Sequence, residues 1–234
     1  METVKLLIFD MDGLMFETGR LSYQAYLKSA EKHDFEMTHN VYYSLTGKTE
    51  SNIRKGMAEL YGETVPYNEW RDSINDFKEK LLQEEQRVYK KKGLVELIQF
   101  AKSKEIIVGI ASSTDRERIK EYLQMEDLTH DIDVIVAGDE ISNGKPCPDI
   151  FLKVCEKTGI LPEEALVLED SIAGIEAANR AGIKSVLIED DITDLPVRDG
   201  RYKLQKDISS LKKLQKASSD YQRQNLKEVI KLIK

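Results

Sequence analysis

The sequence is poor in the residues that mark disulfide-rich and zinc-binding proteins. It has only two cysteines, Cys147 and Cys155, and three histidines in 234 residues. The cysteines lie eight positions apart with no histidine cluster beside them, which excludes a disulfide framework and a typical zinc site. Because stable disulfides belong to oxidising compartments, this cysteine usage favours a cytoplasmic protein.

Long apolar runs and an excess of positive charge are also missing. No run is long enough to span a bilayer, and charged Glu2 and Lys5 flank only a short apolar strand, so we expect no signal peptide. Lys and Arg number 35 against 42 Asp and Glu, a net charge of -7. We therefore expect neither a nucleic-acid nor a membrane partner. A small anionic substrate stays open, because a bound metal can make a site locally positive.

The apolar pattern divides the chain into two kinds of structure. Short apolar runs that alternate with helical patterns predict a parallel sheet with right-handed crossovers. The predicted strands cover residues 4–9, 106–111, 134–137, 165–168 and 185–188. Residues 18–88 show helical patterns only. The prediction is an α/β, Rossmann-like core from residues 1–17 and 89–234, with an all-helical domain, 18–88, inserted after the first strand.

The tail beyond about residue 209 shows two helical patterns. In the second, one face collects the apolar residues Leu226, Val229, Ile230 and Ile233. We favour packing of this face on its own domain and hence a monomer. The alternative is a dimer formed through this C-terminal tail.

Two predicted strands end in pairs of acidic residues. Asp10 and Asp12 follow the first strand, and Glu169 and Asp170 follow the strand at 165–168. Each pair alone is typical of a turn or of surface charge. However, parallel strands bring their carboxyl ends to one edge of the sheet, where such folds bind ligands. Close carboxylates need a cation, and oxygen ligands favour a hard one, most simply Mg²⁺.

Hydroxyl groups and a lysine follow two further strands. Ser112 and Ser113 lie between the strand at 106–111 and a helix. One interpretation is that they are ordinary helix caps. The other is that they form an anion site together with the free N–H groups of the helix. Lys145 lies in a loop beside Pro146 and Pro148, which stiffen its flank. A lysine fixed in this way can neutralise a phosphate or an attacking carboxylate.

These segments together resemble a known family. Asp10-x-Asp12-Gly13, the strand-end Ser112, Gly144-Lys145-Pro146 and Glu169-Asp170-Ser171 with Gly174 stand in the order of the four motifs of the haloacid-dehalogenase-like hydrolase superfamily. The stretch 9–18 is similar to the subgroup of sugar-phosphate phosphatases and β-phosphoglucomutase. The resemblance covers residue 4 to about residue 190, and it implies that the helical insertion is a small cap domain.

The resemblance implies a role for each motif. Asp10 is the expected nucleophile, which forms an aspartyl-phosphate, and Asp12 is the expected general acid and base. The phosphoryl oxygens are expected to contact Ser112, Ser113 and Lys145. The implied Mg²⁺ ligands are the Asp10 side chain, the Asp12 main-chain carbonyl, Asp170 and, as a further or indirect ligand, Glu169.

Some residues depart from the subgroup's pattern. Glu17 stands where the subgroup often has Asp, Ser22 where the mutase has His, and Glu50 where the mutase has a basic residue. These differences favour a phosphatase over a mutase.

The cap is expected to close over the site and supply specificity. The residues expected at the entrance are Phe16, Glu17, Arg20, Tyr23, Thr46, Gly47 and Lys48. Glu17 would accept hydrogen bonds from sugar hydroxyls, and Arg20 or Lys48 would meet a second acidic group. The alternative is that these are linker and surface residues.

The sequence thus predicts a Mg²⁺-dependent phosphatase for a small phosphorylated metabolite, with a sugar or polyol phosphate favoured. The alternatives are a hexose-phosphate mutase of the β-phosphoglucomutase type and a non-enzymatic signalling or binding protein on the same fold.

Overall fold

The core is a six-stranded sheet in which every neighbouring pair of strands is parallel. The computed structural model describes residues 4–188, 190–208 and 219–233. The strands are β1 (Leu6–Phe9), β2 (Ile107–Ala111), β3 (Val134–Val136), β4 (Ala165–Glu169), β5 (Lys184–Ile188) and β6 (Tyr221–Arg223), in the spatial order β3-β2-β1-β4-β5-β6. The predicted α/β class and parallel core are confirmed.

Strand β1 lies at the centre of the sheet and is buried on both faces. Leu7 and Phe9 pack into one apolar cluster, and Leu6 and Ile8 pack into another on the opposite face. This explains why its sequence is continuously apolar instead of alternating.

The helices separate into a core group and an inserted group. The inserted group consists of α1 (Thr18–His33), α2 (His39–Leu45), α3 (Glu50–Tyr61) and α4 (Tyr67–Glu85). The core group consists of α5 (Leu94–Ser103), α6 (Arg116–Met125), α7 (Asp149–Thr158), α8 (Ile172–Arg180) and α9 (Ile230–Ile233). Within 18–88, all of which the structure describes, there is no strand, as predicted. The domain boundaries at 17/18 and 88/89 stay predictions.

The inserted helices form an apolar cluster of their own, which also receives residues from the β5–β6 connection (residues 190–208). Ile192 and Ile208 are buried in this cluster. The backbones of Arg198 and Met37 exchange two hydrogen bonds, of 2.8 and 2.9 Å. The β5–β6 connection is therefore a third attachment of the helical domain to the core, besides the two chain crossings. The sequence did not predict this packing.

The C-terminal tail differs from its predicted form. The first predicted helical stretch falls within residues 209–218, outside the described residues. The structure then forms β6, a strand that was not predicted because its Tyr-Gln-Arg sequence carries no apolar signal. Leu226 and Val229 are buried in the core cluster that also holds Leu7 and Phe9. This part of the tail packs on its own chain, and both the favoured monomer and the alternative dimer stay predictions.

No helix in the described part of the chain combines the length and the apolar composition needed to cross a bilayer.

We predict that Ile192→Ala lowers the free energy of unfolding of the helical domain by about 2–5 kcal/mol, because it leaves a cavity in the apolar cluster. Trp70, the single tryptophan, stacks on Phe35 in the same cluster, so urea unfolding followed by tryptophan fluorescence reports the loss. The control is Val197→Ala in the same connection, where the side chain is 58% exposed and the expected change is within about 0.5 kcal/mol. Equal stability of the two variants would show that the connection does not support the domain.

Candidate active site

The predicted motifs meet at the carboxyl edge of the sheet. Asp10 follows β1, Ser112 follows β2 and Glu169 ends β4, and β1 lies between the other two strands. Phe9 is in register with Ile110 on β2 and with Leu168 on β4, so the three strands end at the same level. The parallel ladder therefore places residues more than a hundred positions apart in one site.

Lys145 is fully buried at the centre of this edge. Its ammonium group donates to Asp10 Oδ1 at 2.5 Å, to Glu169 Oε1 at 2.6 Å and to the Ala111 carbonyl at 3.0 Å. Burial by itself would lower the pKa of Lys145, but the two carboxylates outweigh it and raise the pKa. Lys145 is therefore charged and uses its three donors within the protein.

Glu169 is held by donors on two sides. Its Oε2 accepts hydrogen bonds from the N–H of Asp170 at 3.0 Å, the N–H of Ser171 at 3.1 Å and the Ser171 hydroxyl at 2.9 Å. A β-carbon at position 174 would stand 1.8 Å from Glu169 Oε1, so the glycine found there makes room for the carboxylate. With Lys145 on its other oxygen, Glu169 has one fixed orientation.

Three buried carboxylates form a candidate metal site. Ligand atoms of Asp10, Glu169 and Asp170 all lie within 4.8 Å of one another. Burial raises the pKa of Asp10 to about 8 although Lys145 opposes it, and burial likewise raises the pKa of Asp170 well above its usual value. One lysine does not balance three carboxylates. An oxygen-binding divalent cation therefore fits this cluster and would favour the ionised forms.

Asp12 has a different environment from Asp10, two residues away. Its Oδ2 accepts a hydrogen bond from the Thr114 hydroxyl at 2.7 Å, and its Oδ1 lies 4.0 Å from the ammonium group of Lys78 on α4. The side chain is 30% exposed, whereas that of Asp10 is 6% exposed. Asp12 is thus oriented between the core and the helical domain.

The two serines after β2 have different contacts. Ser112 is buried, and its hydroxyl accepts a hydrogen bond from the Thr114 N–H at 3.1 Å. The Ser113 hydroxyl donates to the carbonyl of Gly47 in the helical domain at 3.0 Å. Both serines line the cavity beside the acids, and their binding of phosphoryl oxygens stays a prediction.

A cavity of about 480 Å³ lies between the sheet edge and the helical domain. Asp10 and Asp12 line it from the core, and Thr46, Gly47 and Lys48 line it from the helical domain.

The other residues expected at the entrance lie elsewhere. Arg20 forms a bidentate ion pair with Asp194 at 2.8 Å, and Glu17 pairs with Lys91 at 2.9 Å. Phe16 and Tyr23 are buried in apolar clusters. None of these four residues lines the cavity, and the substrate contacts expected of Glu17 and Arg20 stay predictions.

The helical domain contributes an ion pair that sequence reasoning missed. Arg71 on α4 donates to Glu50 Oε2 from Nε at 3.0 Å and from Nη2 at 2.8 Å, and to the Tyr26 hydroxyl from Nη1 at 3.1 Å. All three residues line the cavity. Glu50 was noted in the sequence, but nothing there points to Arg71, which stands 21 positions away on another helix. The contacts of Thr114 and Lys78 with Asp12 were missed for the same reason, because they join distant segments.

The helical domain is closed over the site. Arg118 at the start of α6 pairs with Glu79 on α4 at 2.7 Å. The contact from Ser113 to Gly47 and the approach of Lys78 to Asp12 are further polar contacts across the cavity. Such closure limits access of water to the buried carboxylates.

We predict that Lys145→Met destabilises the protein by about 3–5 kcal/mol, because it leaves Asp10 and Glu169 buried without their partner. Denaturant unfolding measures the change. The matched control is Lys157→Met, since Lys157 pairs with Glu140 at the surface and its loss should cost less than about 1 kcal/mol. If Lys145→Met were as stable as the control, the buried ion pairs would not hold the site together.

Comparison with known proteins identifies relatives that share most of the chain. The phosphorylated carbohydrates phosphatase of Thermotoga maritima is 36% identical over 188 residues, which cover 78% of this chain and 84% of the relative. The validoxylamine A 7'-phosphate phosphatase of Streptomyces hygroscopicus is 26% identical over 180 residues, covering 76% of this chain and 83% of the relative.

The crystal structure of β-phosphoglucomutase from Clostridium difficile superposes with a TM-score of 0.72, covering 97% of this chain and 93% of that one. At 21% identity, this likeness shows a shared fold. Residues 7–188 match the family described as haloacid dehalogenase-like hydrolase, as the sequence motifs indicated. The chain belongs to the haloacid dehalogenase-like hydrolase family and is a phosphomonoester hydrolase.

Proposed function

We propose that this hydrolase is a Mg²⁺-dependent phosphatase of a small phosphorylated metabolite, a sugar or polyol phosphate, and that Asp10 forms an aspartyl-phosphate. The observation that carries the proposal is the buried Asp10 beside the cavity, with its Oδ1 held 2.5 Å from Lys145. The 36% identical relative, named for phosphorylated carbohydrates, supports the substrate class.

In the first step, a carboxylate oxygen of Asp10 attacks phosphorus, and the bond from phosphorus to the substrate oxygen breaks. Both the carboxylate and the phosphate are anionic, so the attack needs positive charge close by. Lys145 supplies one charge directly at Asp10 Oδ1. A bound Mg²⁺ would be held by Asp10, Asp170 and the Asp12 main-chain carbonyl, with support from Glu169, and would polarise the phosphoryl oxygens.

Asp12 supplies the proton that the leaving alcohol needs. In the second step it takes a proton from the water that attacks the aspartyl-phosphate, which releases phosphate and restores Asp10. The hydrogen bond from Thr114 at 2.7 Å holds its carboxyl group at the cavity wall. Asp10 and Asp12 can therefore play different roles although both are aspartates.

A hexose-phosphate mutase is the second candidate. The closed helical domain, with its polar contacts from Ser113 and Arg118, favours it, because a mutase must keep water from its phosphorylated aspartate. Glu50 and its pair with Arg71 favour the phosphatase, because the pair engages the Arg71 guanidinium group that would otherwise be available to a second phosphate. The similarity to phosphatases favours an enzyme over a non-enzymatic signalling or binding protein.

We further propose a cytoplasmic protein, since both cysteines are free thiols. The proposed partner is the phosphorylated metabolite alone, and the proposed state is a monomer.

The first experiment measures phosphate release from sugar, polyol and nucleoside monophosphates, with Mg²⁺ and with a chelator. We predict release that requires Mg²⁺ and falls by more than about 10³-fold in Asp10→Asn, because this variant lacks the nucleophile. The control is Asp199→Asn, at a side chain that is 84% exposed. Release that persists in Asp10→Asn, or no release from any compound, would contradict the proposal. Conversion of a hexose 1-phosphate to the 6-phosphate would instead support the mutase.

The ion pair of Glu50 and Arg71 leads to a prediction about the charge of the preferred substrate. The wild-type protein should prefer a sugar monophosphate to the corresponding bisphosphate. Glu50→Gln removes the carboxylate charge and frees Arg71 to contact a second phosphate. The kcat/KM for the bisphosphate should therefore rise about tenfold relative to that for the monophosphate. This rise corresponds to one charge-assisted hydrogen bond of about 1.5 kcal/mol. Glu69→Gln, at an exposed position of α4, is the control. An unchanged ratio in Glu50→Gln would show that the ion pair does not select against a second phosphate.

A further inference from the structure

A fourth buried aspartate lies beside the candidate metal site. Asp190, at the start of the β5–β6 connection, has a side chain that is only 2% exposed. Its Oδ1 forms an ion pair with Lys91, and Lys91 also pairs with Glu17 at 2.9 Å. Burying a carboxylate costs free energy that one ion pair often does not recover. Pairing with Lys91 does not by itself explain why an aspartate is buried at position 190, because Glu17 already pairs with Lys91.

The second oxygen of Asp190 is oriented toward the metal site. Asp190 Oδ2 accepts no hydrogen bond from any residue that the structure describes. A β-carbon placed on Gly13 would lie 2.2 Å from Asp170 Oδ2 and 3.2 Å from Asp190 Oδ2. One placed on Gly19 would lie 1.6 Å from the same oxygen of Asp190. Two glycines thus leave the space in which carboxylate oxygens of Asp170 and Asp190 approach each other.

This approach is unfavourable unless a hydrogen-bond donor reaches Asp190 Oδ2, the oxygen that has no donor among the described residues. Two carboxylates in a buried space repel each other, and the Lys91 ammonium group contacts Asp190 at the other oxygen. A Mg²⁺ ion usually keeps several water ligands, and each water ligand has hydrogens to donate. Carboxylates outside the ligand set commonly orient metal ligands by accepting such hydrogen bonds.

We propose that Asp190 is a positioning residue of the metal site, and that its Oδ2 accepts a hydrogen bond from a water ligand of the cation held by Asp10 and Asp170. Lys91 fixes Oδ1 and thereby the direction of Oδ2. The inference rests on the metal dependence in the proposed function. It adds a residue that lies outside the four sequence motifs.

Asp190 is also connected to the chain segments that lead into and out of the helical domain. Glu17 precedes α1, and Lys91 follows α4 on the return to the core. The Tyr43 hydroxyl on α2 donates to the Asp190 carbonyl at 3.0 Å. Asp190 therefore joins the metal site to both chain crossings and to the helical domain, so its position depends on domain closure as well as on Lys91.

The test is equilibrium binding of Mn²⁺, followed by the electron paramagnetic resonance signal of the free ion, with Mg²⁺ as competitor. Asp190→Asn is expected to raise the Kd for Mn²⁺ by about 10- to 100-fold, the range for residues that orient metal ligands. The control is Asp194→Asn in the same connection, where the aspartate pairs with Arg20 at the surface and Kd should not change. Trp70 fluorescence verifies folding, and Asp190→Ser, with the same expected loss, replaces Asp190→Asn if that variant does not fold.

The outcomes separate the two proposals. Equal Mn²⁺ affinity in Asp190→Asn and the wild type, with lower stability both with and without metal, would make Asp190 a structural partner of Lys91 and overturn this inference alone. Absence of Mn²⁺ and Mg²⁺ binding by the wild-type protein would overturn the proposed metal dependence as well.

Discussion

The buried ammonium group of Lys145 is the interaction on which the site depends. It contacts Asp10, which follows β1, and Glu169, which ends β4, and its side chain is fully buried. Without a positive charge at this point, burying the carboxyl groups at the two strand ends together would cost more free energy. The loop around residue 145 lies between β3 and α7 in the chain. The ion pairs of Lys145 hold this loop at the edge of the sheet. One ion-pair network thus connects three segments of the core.

In the proposed mechanism, the different polar contacts of Asp10 and Asp12 allow one short motif to support two kinds of chemistry. Asp10 faces a buried lysine and two further carboxylates, which suits a nucleophile at a metal site. Asp12 faces Thr114 and the cavity, where a carboxyl group can exchange protons with a substrate. The difference does not come from residue type. It comes from the end of β1, after which the chain leaves the sheet and directs the second aspartate toward the helical domain.

The helical domain is connected to the core by more than the two chain crossings that lead into and out of it. The β5–β6 connection packs Ile192 and Ile208 into its apolar cluster, and backbone hydrogen bonds join it to Met37. The ion pairs of Arg118 with Glu79 and of Lys78 with Asp12 add a polar attachment across the cavity. Any opening that admits substrate must therefore move the connection together with the helices or break these contacts. Closure in turn lowers the local dielectric and strengthens every charge interaction in the site.

The sequence by itself determined the class of fold and the residues at the strand ends. Apolar runs marked five of the six strands, and a parallel sheet necessarily brings their carboxyl ends together, so the acids, Ser112 and Lys145 could be assigned to one site. Only the tertiary structure decided which distant side chains meet. It added the contacts of Thr114 and Lys78 with Asp12, the pair of Arg71 with Glu50, and the position of Asp190 beside Asp170. Strand β6 and the packing of the β5–β6 connection also required the structure, because polar edge strands and contacts between helices and loops have no sequence period.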